Sequence, residues 1–369
     1  MTAVGVLGAS GYAGAELLRL LAGHPKLELA WAAGDAAAGQ PPAARYPGLV
    51  AAYRDLAFCT AEQGLDRGAE VVFLALPHGQ SAAVAPRAAA TAALVVDLSA
   101  DFRLRDPLAY PEWYGAEHPH PEELGAWVYG LPELHRALAR LPHPGGRPAD
   151  PLVGARKVAV PGCYPTAALL ALAPLVAARL VEPDGLVIDA KSGLSGAGRS
   201  LKDQNLFVQA NESVAPYAAP RHRHTPEIEQ ELSLAARRPL RVVFTPHLVP
   251  MGRGELATCY ATAAAGVTGA DLAACYQAAY AGEPFIDLVG AVAGAGAGRA
   301  AGAWPATRSV TGTNRAQLAA VHDPRSGRVI AAAAIDNLVK GTSGQALQCA
   351  NLALGLDETL GLDLVAVGP

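Results

Sequence analysis

Cys163 stands in the run Ala159-Val160-Pro161-Gly162-Cys163-Tyr164-Pro165-Thr166, which leads into the apolar stretch Ala167-Ala168-Leu169-Leu170-Ala171-Leu172. That pattern sets a cysteine at the turn between a short strand and the first turn of a helix. Unpaired N–H groups and the positive end of the helix dipole favour an anion there. A thiol so placed is expected to lose its proton readily, and the thiolate is the nucleophilic form. A buried structural cysteine is the plainer reading of the same residues. Candidate acid/base groups lie in Arg221-His222-Arg223-His224-Thr225-Pro226-Glu227. In an extended or turn segment, His222 and His224 would face one side together. The competing reading is a zinc site, which needs three or four ligands, and no second His/Cys cluster stands nearby. Catalysis is favoured over metal.

A second constellation opens the chain. Val4-Gly5-Val6-Leu7 reads as a strand, Gly8-Ala9-Ser10-Gly11-Tyr12-Ala13-Gly14 as a tight turn, and Ala15-Glu16-Leu17-Leu18 as the body of a helix. Gly8, Gly11 and Gly14 would let the backbone approach a pyrophosphate, with Ser10, Tyr12 and Ala13 around the helix start. The spacing is GxxGxxG, a variant dinucleotide fingerprint whose context, between strand and helix, gives it meaning. A nucleophilic thiol beside a nicotinamide implies acyl transfer to sulfur, then hydride exchange with the thioester.

Other segments could serve that chemistry. Ser192-Gly193-Leu194-Ser195-Gly196-Ala197-Gly198-Arg199 follows an apolar run. Its glycines expose amides, while Ser192, Ser195, Gly196 and Arg199 are candidate cofactor or substrate contacts. Arg103, in Asp101-Phe102-Arg103, could clamp a substrate carboxylate or form an ion pair with Asp97 or Asp101. Pro77 and His78 end the apolar run 71–76, at the sheet edge where cofactors bind. There His78 reads as a loop-positioning residue.

In this order, the blocks resemble the N-acetyl-γ-glutamyl-phosphate reductases of the semialdehyde dehydrogenase group. Besides those quoted, the resemblance rests on Val96-Asp97-Leu98-Ser99-Ala100-Asp101-Phe102-Arg103, Tyr129-Gly130-Leu131-Pro132-Glu133-Leu134, Thr245-Pro246-His247-Leu248-Val249-Pro250-Met251 and Ala334-Ile335-Asp336-Asn337-Leu338-Val339-Lys340-Gly341. It covers nearly the whole chain. It implies NADPH-dependent reduction of an acyl phosphate, with Cys163 attacking the acyl carbon and His222 or His224 moving protons. It also implies Asn337 beside the nicotinamide, a homo-oligomer, and a place in arginine biosynthesis. An alternative is a paralogue acting on a carrier-protein-linked aminoadipyl or glutamyl phosphate. Arg199, Arg221, Arg223 and Arg253 would then face the carrier, and Arg253 is otherwise a candidate substrate contact.

Some residues depart from the family pattern. NADP-specific members carry a Ser-Arg segment after the second strand, whereas this chain has Gly34-Asp35-Ala36-Ala37-Ala38-Gly39. Asp35 lies where an acid would bind the ribose 2′-hydroxyl of NAD, so NADP rests on the resemblance and NAD stays open. Glu255 follows Gly254 where an apolar residue is usual, and would either alter substrate preference or face solvent. Residues 141–151 form a Pro/Gly-rich insertion, and residues 290–303 an Ala/Gly-rich run expected to be mobile.

The positioning elements follow from periodicity. Alternating strands and helices through the first 160 residues predict an α/β fold with a Rossmann-type, doubly wound parallel sheet. Strand-like runs at 186–188, 241–244, 256–262 and 329–334, with helical patterns at 167–178 and 269–280, predict an α+β substrate domain. The expected division is 1–162 for the dinucleotide, 163–336 for catalysis, and 337–369 returning to the first domain through a helix at about 343–354. The chain has 369 residues, a net charge of −4 and five scattered cysteines without a CxxC pair. Those values suggest no nucleic-acid surface and fit a reducing cytoplasm. A strand beginning next to Met1 leaves no room for a signal peptide, and no apolar run is long enough to span a bilayer.

Overall fold

The protein is described by a computed structural model covering residues 1–141, 150–292 and 302–367. Most of the Pro/Gly-rich insertion and of the Ala/Gly-rich run therefore lies outside the described residues.

Six strands form the first sheet: β1 (Thr2–Leu7), β2 (Leu27–Ala33), β3 (Val71–Leu74), β4 (Leu94–Asp97), β5 (Val128–Tyr129) and β6 (Lys157–Ala159). Their order is β2-β1-β3-β4-β6-β5, and every pairing is parallel. The residues of β3 and β4 are all buried, as expected when helices cover both faces of a parallel sheet. Those helices include α1 (Tyr12–Leu21), α2 (Ala61–Arg67) and α3 (Ser81–Thr91). Beyond β4 come α4 (Ala109–Tyr114) and α5 (Pro132–Arg140).

The second sheet has seven strands: β7 (Leu186–Gly193), β8 (Ala215–Pro216), β9 (Val242–Val249), β10 (Glu255–Thr262), β11 (Ile286–Leu288), β12 (Ala316–Asp323) and β13 (Arg328–Ile335). Their order is β11-β12-β13-β10-β7-β9-β8, with mixed directions. One face is covered by α6 (Cys163–Ala177), with α8 (Thr225–Ala236) and α9 (Gly269–Tyr280) beside it, while the single turn α7 (Phe207–Ala210) lies outside. α6 is apolar on every side, and every residue after Cys163 is buried. A helix of that kind belongs inside a core. Alternate residues of β10 are buried, and Ala257, Cys259 and Ala261 present a small-residue row to α6.

The last helix, α10 (Gly344–Ala353), returns to the first sheet. Its Ala346, Leu347, Cys349 and Ala350 share a core with Val4, Leu17, Phe73 and Val96. A buried ion pair anchors its approach: Lys340 Nζ donates to Glu133 Oε1 at 2.7 Å and to Gln348 Oε1 at 2.8 Å. Removing one partner of such a pair strands the other charge, at about 3–5 kcal/mol. Lys340→Ala is therefore expected to lower unfolding free energy by about that much in urea titration. Lys340→Met combined with Glu133→Gln should lose markedly less.

Candidate active site

The glycine turn sits at the carboxyl ends of β1 and β3. Gly8 has φ +77°, and a Cβ there would lie 2.2 Å from the Ala75 carbonyl oxygen. A Cβ on Gly14 would lie 2.4 Å from the Gly8 oxygen, so α1 can start against the turn only without side chains. The first-turn amides of Tyr12, Ala13 and Gly14 are thereby left as donors, a cradle of the right form for a pyrophosphate. Tyr46 donates its hydroxyl to the Ser10 carbonyl at 2.9 Å and holds the turn from outside. Asp35 stands just beyond β2, its Oδ1 accepting the Ala61 N–H at the start of α2. The neighbouring Arg45 reaches back to the Ala36 carbonyl at 3.3 Å, and its Nε is buried without a partner. Thus a cation does reach the region after β2, from ten residues further along the chain. Pro77 and His78 follow β3, and His78 Nδ1 lies 2.6 Å from Asp101 Oδ1. Asp101 also accepts from the Gly79 and Ala82 amides, so that acid fixes the loop.

Cys163 is the first residue of α6, with partial access to solvent. Around it lies a buried polar knot. Glu227 Oε1 accepts the Gly162 N–H and the Tyr129 hydroxyl, both at 2.9 Å. Arg103 Nη1 lies 3.4 Å from Glu227 Oε2 and 3.4 Å from His224 Nε2. The other Arg103 donors go to the carbonyls of Val160, at 2.7 Å, and Leu98, at 2.9 Å. Arg103 is thus turned inward toward Glu227, away from ion pairs with Asp97 or Asp101, and has little donor capacity left for a ligand. Its guanidinium only donates, so His224 Nε2 must accept and the proton sits on Nδ1, which has no partner. His222 Nδ1 accepts from the His224 backbone, which leaves the His222 proton on Nε2. The two rings are 4.9 Å apart. Of the pair, His224 is beside the cysteine's own neighbour, since a Cβ on Gly162 would meet its Nε2 at 2.4 Å.

Burial keeps both imidazoles neutral. It pushes His222 down to about 4, with Arg223 adding to the effect, and His224 well below the ordinary histidine value, with His222, Arg103 and Arg223 adding to the effect. The same enclosure acts on the thiol. Burial and then the neighbouring Glu255 raise Cys163 well above an ordinary cysteine, although the Tyr164 N–H and Arg103 oppose them. The helix start alone therefore does not give an easily ionised thiol. Dipole stabilisation is worth about 0.3–1 kcal/mol, whereas burying a charge shifts a pKa by up to about 3–5 units.

The Ser192–Arg199 segment closes the other side. Asn337 accepts the Gly254 N–H at 2.8 Å through Oδ1 and donates to Ser195 Oγ at 2.9 Å. A Cβ on Gly196 would lie 2.8 Å from Ser192 Oγ, so this turn also depends on a missing side chain. Ser195, Arg199 and Tyr12 line one cleft of about 270 Å3, which brings the glycine turn and the second sheet to a common space. Arg253 pairs with Glu16 of α1 at 2.6 Å and lies 3.7 Å from Asp336, so it joins the two sheets. Arg221 pairs with Glu112. Glu255 does not face solvent: it is fully buried at the α6 end of β10. The roles of Glu227, Tyr129 and Arg45 were not legible, because their partners lie far off in sequence. Glu255 carried a signal, being in phase with the buried Ala257, Cys259 and Ala261.

Comparison with known proteins matches these two halves. Residues 3–140 match the family described as semialdehyde dehydrogenase, NAD binding domain, and residues 163–337 match semialdehyde dehydrogenase, dimerisation domain. N-acetyl-gamma-glutamyl-phosphate reductase of Moorella thermoacetica is 45% identical over 100% of both chains. The protein of that name from Acidothermus cellulolyticus is 49% identical over 99% of both. The chain belongs to the N-acetyl-γ-glutamyl-phosphate reductase family. Solved aspartate semialdehyde dehydrogenases share the fold of this family. One from Vibrio cholerae superimposes with a TM-score of 0.66 at 17% identity, covering 96% of this chain and 98% of that one. One from Candida albicans, solved with NADP, gives 0.63 at 14%, covering 95% and 98%. Among the described residues no group of three or more His, Cys, Asp or Glu could hold a metal, and no helix is long and apolar enough to cross a membrane.

The neutral, buried His222 has a consequence for stability. Its unfolded form takes up a proton near pH 6.5 while the folded form resists until about 4. Stability therefore falls as pH drops from about 6.5 toward 4, by up to about 3 kcal/mol from this group. Urea unfolding at pH 7 and pH 4.5 should show that loss, and His222→Gln should shrink it.

Proposed function

We propose that this enzyme reduces N-acetylglutamyl 5-phosphate to N-acetylglutamate 5-semialdehyde and phosphate, with NADPH as the preferred reductant, as a step in arginine biosynthesis. The observation that carries the reading is Cys163 at a helix start, with His224 packed on the preceding Gly162 and Gly341 against its own Cβ. The names of relatives matched over their full length support the acetylated-glutamyl substrate and do not favour a carrier-linked one. The ion pair already made by Arg221 leaves it little for a carrier protein.

Residues 1–162 hold the cofactor, residues 163–336 bear the chemistry, and residues 337–369 return to the first sheet. The amides of Tyr12, Ala13 and Gly14, with Gly8, Ser10 and Gly11, cradle the pyrophosphate. Pro77, His78, Ser195, Gly196 and Asn337 frame the nicotinamide end. When bound, the nicotinamide supplies hydride to the acyl carbon. Cys163 attacks the acyl phosphate and carries the acyl group as a thioester. The backbone N–H at the α6 start stabilises the developing oxyanion, and His222 or His224 moves the proton of the thiol. Arg199, with Ser192 and Arg253 behind it, holds the substrate's anionic groups. Arg103 and Glu227 position the site. The assembly is a homo-oligomer built through the second sheet, whose flank exposes Leu206, Phe207 and Val208.

The reverse reaction tests this. Semialdehyde, phosphate and NADP+ should give phosphate-dependent growth of reduced-cofactor absorbance, and Cys163→Ser should abolish it while cofactor still binds. Silence from the intact, cofactor-binding enzyme would sink the assignment. For the cofactor, Arg45 faces the 2′-phosphate while Asp35 opposes it. Preference for NADPH should thus stay below about a thousandfold, roughly 4 kcal/mol. Arg45→Ala should lower kcat/KM with NADPH about tenfold, the worth of one charged hydrogen bond, and leave NADH nearly unchanged.

A further inference from the structure

Glu16 sits in the second turn of α1, one helical turn beyond Tyr12, and reaches toward the second sheet. Its side chain is 2% exposed. Oε2 accepts from Arg253 Nη2 at 2.6 Å, and Oε1 accepts from Arg19 Nη2 at 2.7 Å. Burial works to raise the carboxyl, but Arg253 and then Arg19 overcome it and hold the group below the usual carboxylate range. Arg19 belongs to the same helix. Arg253 comes instead from residues 250–254, the turn that joins β9 to β10.

That turn organises the residues assigned above to the nicotinamide end. Its carbonyls accept three amides of the neighbouring segment: Gly193 donates to Gly254 at 2.9 Å, Leu194 to Met251 at 2.9 Å and Ser195 to Gly252 at 3.2 Å. The Gly254 N–H donates to Asn337 Oδ1 at 2.8 Å, and Asn337 donates in turn to Ser195 Oγ at 2.9 Å. Gly252 lines the same cleft as Tyr12 and Ser195. Arg253 also approaches Asp336, but only to 3.7 Å. Asp336 is held without it, accepting the amides of Gly312 at 2.7 Å, Leu338 at 2.8 Å and Val339 at 3.1 Å. The turn that packs Gly341 on Cys163 is therefore fixed independently, whereas Ser195 and Asn337 follow the 250–254 turn.

We propose that Glu16 is a positioning residue for hydride transfer. Its ion pair with Arg253 sets the 250–254 turn, and with it Ser195 and Asn337, at a fixed distance from the helix start that cradles the pyrophosphate. This rests on the acyl-phosphate reading above and adds a residue that touches neither substrate nor cofactor. Pyrophosphate and nicotinamide belong to one molecule, so the spacing between α1 and that turn decides where the reacting carbon falls. Productive transfer needs reacting atoms about 3–3.5 Å apart. Acylation of Cys163 precedes the hydride step and does not use the nicotinamide, so it is insensitive to this spacing. Nor do the two sheets come apart without the pair. Ser343 Oγ donates to the Ala13 carbonyl at 2.8 Å, and Leu17 and Leu18 of α1 share a core with Leu347 of α10.

The test is Glu16→Gln, which keeps the shape of the side chain and removes its charge. The two half-reactions are timed separately at saturating ligand. Phosphate release on mixing with N-acetylglutamyl 5-phosphate, without cofactor, reads acylation. Loss of absorbance when NADPH is added to the acyl-enzyme reads hydride transfer. Hydride transfer is expected to slow by about ten- to a hundredfold, the effect of a misplacement near 1 Å, while acylation stays within about twofold of wild type. A merely structural role would lower both rates by the same factor. Equal loss in both, or loss in neither, overturns the proposal. The fluorescence lifetime of bound NADPH reads confinement of the nicotinamide with no substrate present. It should shorten in the variant at saturating NADPH, and an unchanged lifetime also overturns the proposal. Should Glu16→Gln not fold, Glu16→Asp, which keeps the charge but withdraws it by one methylene, must show the same split between the half-reactions, and equal rates overturn it. Failure of the wild type to release phosphate would instead strike the functional reading, and the NADPH lifetime would still decide the role of Glu16.

Discussion

The carboxyl group of Glu227 is where the two sheets are made to agree. It comes from the first turn of α8, yet its partners are the Gly162 amide before α6, the Tyr129 hydroxyl on β5 and the Arg103 guanidinium beyond β4. Tyr129 lies in the sheet that carries the glycine turn, and Arg103 and Gly162 follow its strands β4 and β6. The same Arg103 accounts for the carbonyls of Val160 and Leu98, and it sets the tautomer of His224. One buried ion pair thus determines where Cys163 sits, which way its neighbouring imidazole points, and how the cofactor half meets the catalytic half. Breaking such a pair costs far more than its net contribution to stability. The knot serves geometry first.

Around it the polar groups sort by what they must not do. Both histidines are kept neutral by enclosure, and the thiol is kept protonated by enclosure together with Glu255. A resting thiolate in an enzyme of this kind would be exposed to alkylation and oxidation.

Much of this was legible in the residues themselves. The glycine turn, Cys163 at a helix start and the His222–Glu227 block are local features, and local sterics and dipoles placed them. The helix at 269–280 coincides with α9 because its apolar spacing and the Thr268 cap are both short-range. What escaped depended on distance along the chain. Arg45 reaches the end of β2 from a turn that shows no binding pattern. Arg103 read as a ligand clamp or as an ion-pair partner of Asp97 or Asp101, because its partner Glu227 lies 124 residues away. The helix end before Cys163 is visible in sequence, whereas the burial that outweighs it comes from α6 packing against the second sheet and α5, α8 and α9. Glu255 looked solvent-facing or substrate-directed, but its phase along β10 already pointed inward.

Acylation of Cys163 is the step on which the proposed reaction depends. The direct measurement is mass spectrometry of the enzyme mixed with N-acetylglutamyl 5-phosphate in the absence of reduced cofactor. An N-acetylglutamyl group should appear on the peptide bearing Cys163, and it should disappear as aldehyde forms once NADPH is added. Turnover without that adduct, or with the group on another residue, would contradict the account.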